Sequence, residues 1–394
     1  MSPSDQQRLL ADVDAFCQEL REHEELCYVE HRFNDQLIPL AKKHNLLGIP
    51  VPVDYGGRGA DTITYAKALA RIGQEGTGVR TFFSGHTSIG QYPIMTWGNE
   101  EQKRRYLPAS CKGDKILAFG LTEPEAGSNP LEMQMTYERK GDKFLLNGVK
   151  YLISNAGIAT TTVTFAYPAG PANKAGRRVS AFIADLDGPG CAREDLVAKM
   201  GMPTANTGMF ELTDFAIPAT NLLGAEGDGF GIAMGTLVSG RLSVAAGCLG
   251  VIEDCLAEAI RYAKERVQHG KPIGKHQLVQ EHLAAIEMAR ISSEALVLQA
   301  AAAKDAANAS AKDTSLKAKA ELLAAQAKLF TSNAAWDAAD HAVQIFGGRG
   351  WSTLYRPGRH LQDVRVCRIY EGTDEILKLK IAAALLGKEF EAFK

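Results

Sequence analysis

The stretch KFLLNGVKYLIS, Lys143–Ser154, decides the class of fold. Its apolar residues are typical of a β-strand, and its Asn147–Gly148 pair is typical of a tight hairpin turn. Further short β-rich runs stand near it, separated by Gly, Pro and Asn; they read ILAFGL, TTTVTFAYP, RRVSAFIADL and MFELTDFAIP. We therefore predict a small antiparallel β domain over residues 116–223, with a hairpin at Asn147–Gly148.

Helical periodicity surrounds this β domain on both sides. Residues 1–115 contain QQRLLADVDAFCQEL and DQLIPLAKKHNLLG, in which apolar residues recur at a spacing of three to four. Residues 224–394 contain long segments rich in Ala, Lys, Glu and Leu, which predict a long four-helix-type bundle. The predicted fold class is α+β, mostly α, with an N-terminal helical domain, a middle β domain and a C-terminal bundle.

Composition excludes several classes of partner. The 394 residues are 45% apolar and carry a formal net charge of -2, so no basic field predicts binding to nucleic acid. The N-terminus is acidic and helical rather than a signal or transit sequence, and no apolar run approaches the roughly 20 residues of a membrane helix. Seven scattered cysteines without a CxxC pair favour a reducing compartment. We predict a cytoplasmic protein without a membrane segment or a metal site.

Four motifs are ambiguous when each is taken alone. AFGLTEPEAGSNP, Ala118–Pro130, is either an ordinary turn or a loop whose glycine lets backbone amides approach a ring or a phosphate. YLISN, Tyr151–Asn155, is an ordinary strand end. ERVQHGKPIGKHQLVQ, Glu265–Gln280, interrupts a helix near an arginine that either favours the helix dipole or binds a phosphate. QIFGGRGW, Gln344–Trp351, is by itself a helix end.

A fifth motif, RIYEGTDEI, places Glu371 between an aromatic, apolar run and a Gly-Thr break. Such a glutamate is a helix-start acid, an ion-pair partner or a catalytic base. The five motifs together, in this order and on this helix, β, helix layout, resemble the acyl-CoA dehydrogenase family. The resemblance extends over nearly the whole chain, and it implies an FAD-containing homotetramer.

The resemblance also implies which residues contact FAD. Those matching contacts to the flavin and its surroundings are Phe119, Leu121, Thr122, Gly127, Ser128, Leu152, Ile153, Ser154, Thr373 and Glu375. Those matching contacts to the diphosphate and adenosine across a subunit interface are Arg266, Gln268, Gln277, Gln344, Gly347 and Gly348.

Glu371 matches the catalytic base of the family. A thioester α-proton is only weakly acidic, so its removal needs a carboxylate whose basicity is raised by burial. Some relatives place the base at the position of Gly240, which cannot serve here. For the substrate, the resemblance implies contacts from Ser128, Val238, Arg241 and Gly372.

Several positions depart from the family pattern. Leu152 stands where a tryptophan is frequent, Val238 where many members have an aspartate, and His269 where a phenylalanine is common. Arg80 matches an arginine that binds the distal carboxylate of the substrate in the glutaryl-CoA dehydrogenase branch. It is equally interpretable as a surface or interhelix residue, so a distal acid on the substrate remains one alternative.

The function implied is dehydrogenation of an acyl-CoA to a trans-2-enoyl-CoA, with electrons passed to an electron-transfer flavoprotein. Alternatives are a decarboxylating dehydrogenase of the glutaryl-CoA type, a dehydrogenase of an acyl carrier protein thioester, and an oxidase that uses oxygen. A flavin-binding, nucleic-acid-associated function is disfavoured because relatives of that kind carry a basic extra domain, whereas this sequence has no surplus of basic residues. A catalytically inactive scaffold is disfavoured because the base and flavin motifs are present together.

Overall fold

The computed structural model describes residues 1–170, 178–310, 312–390 and 392. Helices come first, a sheet follows, and a second set of longer helices ends the chain. This order confirms the predicted fold class, a mostly helical α+β protein.

The N-terminal helices are capped by the residues that sequence rules favour. Ser2 accepts a hydrogen bond from the Asp5 backbone, and Asn99 and Gln102 form a reciprocal capping box at the start of the last of these helices. The helices are α1 Pro3–Val29, α2 Leu37–Lys43, α3 Thr62–Gly73, α4 Thr77–Phe83, α5 Tyr92–Trp97 and α6 Glu100–Cys111. A π-helical segment, Ser84–Gln91, joins α4 to α5.

The middle of the chain forms a mixed, largely antiparallel sheet. Its strands are β1 Leu117–Gly120, β2 Thr136–Lys140, β3 Lys143–Ser154, β4 Thr161–Pro168, β5 Ser180–Asp185, β6 Cys191–Asp195, β7 Thr207–Pro218 and β8 Leu222–Leu223. The order across the sheet is β6-β7-β3-β2-β4-β5-β8, and β1 also pairs with β4. The β1–β4 and β2–β4 pairs are parallel, for example Leu117 opposite Thr161.

The predicted hairpin at Asn147–Gly148 is wrong. β3 runs through both residues, because β7 pairs with it from Lys143 to Ser154. Gly148, at φ 143°, lies at a register shift in this pairing, and a Cβ there would stand 2.8 Å from Cα of Met135. The Asn-Gly pair therefore forms a β-bulge inside a long strand.

The C-terminal helices are α7 Gly229–Glu265, α8 Gln277–Ala309, α9 Thr314–Phe346, α10 Arg356–Val364 and α11 Asp374–Leu386. A two-stranded ribbon, β9 Val267–Gln268 and β10 Lys271–Pro272, separates α7 from α8. α7, α8 and α9 pack against one another, α11 packs on α9, and α3 packs on α7.

α7 corrects one expectation from the sequence, because it is long and apolar enough to span a membrane by length and composition. In the structure, 83% of its most apolar window is buried inside the protein. Packing against other helices of the chain thus accounts for its apolar character.

A buried histidine joins the N-terminal helices to the sheet. Nδ1 of His86 accepts a hydrogen bond from the Leu117 backbone at 3.0 Å, and its Nε2 lies 3.2 Å from the Ser110 carbonyl. Burial lowers the pKa of His86 to about 4, so the ring is neutral and can accept at one nitrogen and donate at the other. This contact fixes the start of β1, which leads directly into the functional site.

Candidate active site

A cavity of about 460 Å³ lies between the sheet and the segment that precedes α11. One wall comes from the loop after β1 and the end of β3. The predicted cofactor residues on this wall are Thr122, Gly127, Ser128, Leu152 and Ser154.

A bulge in β3 sets the shape of this wall. Leu152 adopts φ 57°, where its pairing with β7 shifts register between Lys150 and Ile153. As a result the Leu152 side chain is 51% exposed, although its neighbour Ile153 is buried. The backbone of Tyr151 donates to the Thr122 carbonyl at 2.9 Å, which ties the loop after β1 to the strand.

A buried ion pair supports the same loop from behind. Nζ of Lys150 donates to Oε1 of Glu123 at 2.7 Å and to the Leu121 carbonyl at 3.2 Å. The Glu123 carboxylate also accepts from the backbone N–H groups of Gln134 and Met135. Both charged side chains are almost fully buried, so the pair fixes the loop that carries Thr122 and Ser128.

The second wall is a loop that the sequence did not indicate. It contributes Leu196, Lys199, Met200, Gly201 and Met202 to the cavity. A Cβ at Gly201 would stand 2.5 Å from the Gln362 carbonyl oxygen, so this close backbone approach requires glycine.

The carboxylate of Asp363 anchors this loop. Oδ1 of Asp363 accepts from the Met202 backbone and, at 2.9 Å, from the Tyr28 hydroxyl. Burial raises the pKa of Asp363 to about 7. The loop is thereby linked both to α10 and to α1.

The remaining wall is the turn that contains Glu371. Val366, Ile369 and Tyr370 line the cavity just before it. Glu371 and Gly372 adopt positive φ angles of 56° and 96°, and the Thr373 side chain caps α11 by accepting from the Ile376 backbone. The turn thus brings three residues that the sequence assigned to the site, Glu371, Gly372 and Thr373, to the lining of one cavity.

The Glu371 carboxylate packs directly over Gly240 on α7. A Cβ at position 240 would stand 2.5 Å from Cδ of Glu371. Its Oε2 is buried without a hydrogen-bond partner among the residues that the structure describes. Burial raises the pKa of Glu371 to about 7, against the opposing effect of Arg241, Arg80 and Lys328. Such a carboxylate is well suited to accept a proton near neutral pH.

Two predicted substrate residues lie behind this turn rather than on the cavity. Nε of Arg241 donates to the Glu371 carbonyl at 3.0 Å. Arg80 is 2% exposed and donates to the Tyr370 hydroxyl, with its guanidinium 5.5 Å from the centre of the Tyr370 ring. Val238 lies on α7, partly buried.

The other predicted cofactor residues lie in three places. Phe119, Leu121 and Ile153 are buried in the core beneath the cavity wall, and Glu375 is exposed on the first turn of α11. The remaining residues are all exposed and lie near the junctions at the far ends of α7 and α9; they are Arg266, Gln268, Gln277, Gln344, Gly347 and Gly348. Along α7, Arg266 is roughly 40 Å from Gly240, so within one chain these residues are remote from the cavity.

Comparison with known proteins identifies the family. Models of the acyl-CoA dehydrogenase N-terminal, middle and C-terminal domains match residues 3–114, 118–215 and 227–386. The chain belongs to the acyl-CoA dehydrogenase family.

Several members of the family align with this chain over most of its length. An acyl-CoA dehydrogenase of Bacillus subtilis is 41% identical over 90% of each chain. The structure of butyryl-CoA dehydrogenase from Megasphaera elsdenii has a TM-score of 0.90 and 34% identity, covering 98% of this chain and 99% of that one. A glutaryl-coenzyme A dehydrogenase in complex with glutaryl-CoA has a TM-score of 0.90 and 32% identity, covering 100% of this chain and 98% of that one.

Two further structures bear on electron transfer and the cofactor. One, named as electron transferring flavoprotein of Acidaminococcus fermentans, has a TM-score of 0.90 and 35% identity, covering 98% of both chains. An acyl-CoA dehydrogenase of Bacillus anthracis complexed with FAD has a TM-score of 0.88 and 29% identity, covering 100% of this chain and 70% of that one.

FAD is the cofactor of this acyl-CoA dehydrogenase family member. The cavity fits a flavin, because its wall combines an exposed leucine face with hydroxyl groups that can hydrogen-bond to ring heteroatoms. Thr122, Ser128 and Ser154 supply those hydroxyls, and Thr373 supplies another from the opposite wall.

Proposed function

We propose that this chain catalyses α,β-dehydrogenation of an acyl-CoA thioester, with Glu371 as the base that removes the α-proton. The observation that carries the proposal is the Glu371 carboxylate on the cavity wall, with Oε2 unpartnered among the described residues and its pKa raised to about 7. No hydrogen bond from a described residue to Oε2 therefore competes with transfer of a substrate proton to this carboxylate.

The backbone of the same turn supports the developing negative charge. The N–H of Glu371 donates no hydrogen bond to any residue that the structure describes. A donor left free beside the base can stabilise the enolate-like oxygen that forms when the α-proton leaves. When bound, FAD accepts the hydride that leaves the β-carbon. Glu371 thus supplies both the proton acceptor and, through its backbone, an oxyanion donor.

A short acyl chain is the first substrate to test, because a similar structure is a butyryl-CoA dehydrogenase. The FAD-loaded protein is incubated without oxygen with butyryl-CoA, and the products are separated by chromatography. The proposal expects 2-butenoyl-CoA in proportion to reduced flavin. The absence of any enoyl product from linear and branched acyl-CoA substrates would contradict it, and turnover of a carrier-protein thioester alone would favour that alternative.

The proposal includes the electron acceptor, assembly and location of the protein. We propose an electron-transfer flavoprotein as acceptor, supported by the similarity to the Acidaminococcus fermentans structure. We propose a homotetramer, supported by the exposure of Arg266, Gln277 and Gln344, which match contacts to FAD across a subunit interface. Cytoplasmic location stays a prediction. Reduction of the purified acceptor, and the solution mass of the FAD-loaded protein, test the first two.

The burial of Arg80 favours a second candidate, oxidation coupled to decarboxylation of a dicarboxylic acyl-CoA. Among the described residues, the ionisable groups that act most strongly on its guanidinium are Tyr370, Cys367 and Cys248 rather than a carboxylate, and a buried charge without a carboxylate partner is costly. Arg80 itself does not line the cavity, but its hydrogen-bond partner Tyr370 does, so a substrate carboxylate beside Tyr370 would approach the guanidinium and offset part of that cost.

Arg80→Met separates the two candidates. If the second is right, the unsubstituted protein releases carbon dioxide from glutaryl-CoA, and the variant loses this activity while it still oxidises butyryl-CoA. An unchanged preference between butyryl-CoA and glutaryl-CoA would exclude a role for Arg80 in recognising a distal acid.

A further inference from the structure

Two consecutive carbonyl groups of the catalytic turn are held by buried cations from different helices. Arg241 on α7 donates to the Glu371 carbonyl at 3.0 Å. Lys328 on α9 donates from Nζ to the Gly372 carbonyl at 2.8 Å. The two peptide groups that flank the Cα of Gly372 are thus each held by a buried cation.

The turn needs such support because of its backbone conformation. Glu371 has φ 56°, a left-handed conformation that a residue with a Cβ rarely adopts, and Gly372 follows at φ 96°. Backbone of this kind persists only where the surrounding structure holds it. The two carbonyl contacts are therefore candidates for what holds the base in place.

Two groups accompany the Lys328 ammonium, the Gly372 carbonyl and the carboxylate of Asp374. The lysine side chain is fully buried, and its acidic neighbour Asp374 is 3.9 Å away, beyond a normal hydrogen bond. The other oxygen of Asp374 is taken by Arg368 and Asn333, each at 2.9 Å. Asp374 therefore offsets the charge of Lys328 at longer range, and the direct hydrogen bond of the ammonium is to the Gly372 carbonyl.

We propose that Lys328 is a positioning residue for Glu371, which holds the turn through the Gly372 carbonyl so that the carboxylate stays over Gly240. This inference rests on the proposed function, because it presumes that Glu371 is the base. Lys328 lies in the helix-rich part of the chain that the sequence motifs did not mark, and its effect on the substrate is exerted through the turn.

The charges around Glu371 predict a second effect of Lys328. The cations that face the carboxylate are Arg80 from α4, Arg241 from α7 and Lys328 from α9. The other ionisable groups around these cations include Tyr370, the buried cysteines Cys248 and Cys367, and Asp374 of α11 beside Lys328. Each cation favours the ionised carboxylate. Loss of the Lys328 charge is therefore expected to raise the pKa of the base.

Hydrogen exchange on acetyl-CoA isolates this step. Acetyl-CoA has α-protons and no β-carbon, so proton removal and return can occur while dehydrogenation cannot. The FAD-loaded protein is incubated with acetyl-CoA in D₂O, and deuterium incorporation is followed by mass spectrometry across a range of pH. The variants are Lys328→Met, which removes both bond and charge, and Lys328→Gln, which retains a donor without charge. Lys319→Met, an exposed lysine on the same helix, is the matched control.

The proposal predicts distinct results for each variant. Lys328→Met should exchange about 10- to 100-fold more slowly, since small displacements of a catalytic group have effects of this size. Lys328→Gln should recover part of that rate, and both variants should show a pH midpoint above that of the unsubstituted protein. Lys319→Met should match the unsubstituted protein, and rates are expressed per folded, FAD-loaded molecule.

Other outcomes identify which idea has failed. Lys328 variants that exchange within twofold of the unsubstituted protein, with an unshifted midpoint, would overturn the positioning role. A loss of thermal stability alone, with normal exchange in the folded fraction, would also overturn it. If neither the unsubstituted protein nor Glu371→Gln exchanges the protons of acetyl-CoA, the proposed role of Glu371 fails instead.

Discussion

Gly240 and Glu371 occupy complementary space, since the glutamate carboxylate fills the volume that a side chain at position 240 would need. A Cβ there would stand 2.5 Å from Cδ and 2.6 Å from Oε1 of Glu371. The two residues come from separate parts of the chain, and the absence of a side chain at one makes room for the carboxylate of the other. The position of the proposed base therefore depends on Gly240 as much as on Glu371.

Gly240→Ala should displace the carboxylate and slow flavin reduction by acyl-CoA about 100-fold, because a shift of the base by about 1 Å is enough for this loss. FAD binding should persist, since Gly240 does not line the wall that carries Thr122 and Ser154. The measurement is the anaerobic reduction rate with butyryl-CoA. Gly231→Ala, on the same helix and with open space at its Cβ, is the control and should be neutral.

Moving the base across this contact should preserve part of the activity. In the double variant Glu371→Gly/Gly240→Glu, a carboxylate approaches the same region of the cavity from α7. We expect flavin reduction well above that of Glu371→Gly alone and below that of the unsubstituted protein, measured with the same thioester. Equal rates for the double variant and Glu371→Gly would show that the two positions do not share one reactive space.

The rate of flavin reduction should rise with pH, with a midpoint near 7 in the substrate-free enzyme. Burial raises the pKa of Glu371 to about 7, and a base acts in its deprotonated form, so the active fraction increases as pH passes through that value. Stopped-flow rates at low substrate concentration report this limb. A midpoint near the ordinary pKa of a glutamate would contradict a desolvated base.

Loss of the buried Lys150–Glu123 pair should destabilise the β domain. Lys150→Met leaves the Glu123 carboxylate buried without its cation, and such changes cost about 3–5 kcal/mol in the free energy of unfolding. The affinity for FAD should also fall, because Glu123 supports the loop that carries Thr122 and Ser128. Urea unfolding and FAD titration measure the two effects.

The matched control for that variant is Lys43→Met. Lys43 forms an ion pair with Glu19 at 2.6 Å, and both side chains are substantially exposed. Exposed pairs contribute about 1 kcal/mol or less, so this substitution should leave both stability and FAD affinity nearly unchanged. Similar losses in Lys150→Met and Lys43→Met would argue against a special role for the buried pair.

The order of helical and β segments followed from periodicity, but the internal pairing of the sheet did not. Asn147–Gly148 has the composition of a hairpin turn, and the chain instead reverses near Gly141, at φ 63°, between β2 and β3. The ladder between β3 and β7 runs the full length of β3, and it carries the strand through the Asn-Gly pair as a bulge. A partner more than 50 residues away thus overrides a local turn preference.

At the site, too, residues within short motifs were predicted, and residues placed by contacts distant in the sequence were not. Thr122, Ser154 and Glu371 stand in short motifs, and the structure brings them to one cavity. Met202 and Lys328 were missed, because a loop without regular pattern and a lysine in an Ala-rich helix both suggest exposed positions. For Met202, the available sequence signal was the neighbouring Gly201 and Pro203, which indicate a turn in the chain. The burial of Lys328 depends on where the Glu371 turn packs, and no spacing within α9 encodes that contact.

The most direct test of the central claim is an anaerobic absorbance titration of the FAD-loaded protein with butyryl-CoA, beside Glu371→Gln. The variant keeps the size of the side chain and removes its basicity, while the cavity walls proposed to hold FAD keep their residues. We predict that the flavin absorbance of the unsubstituted protein bleaches and that the variant, with the same FAD content, reduces at least 100-fold more slowly. Equal bleaching in both proteins would contradict Glu371 as the base.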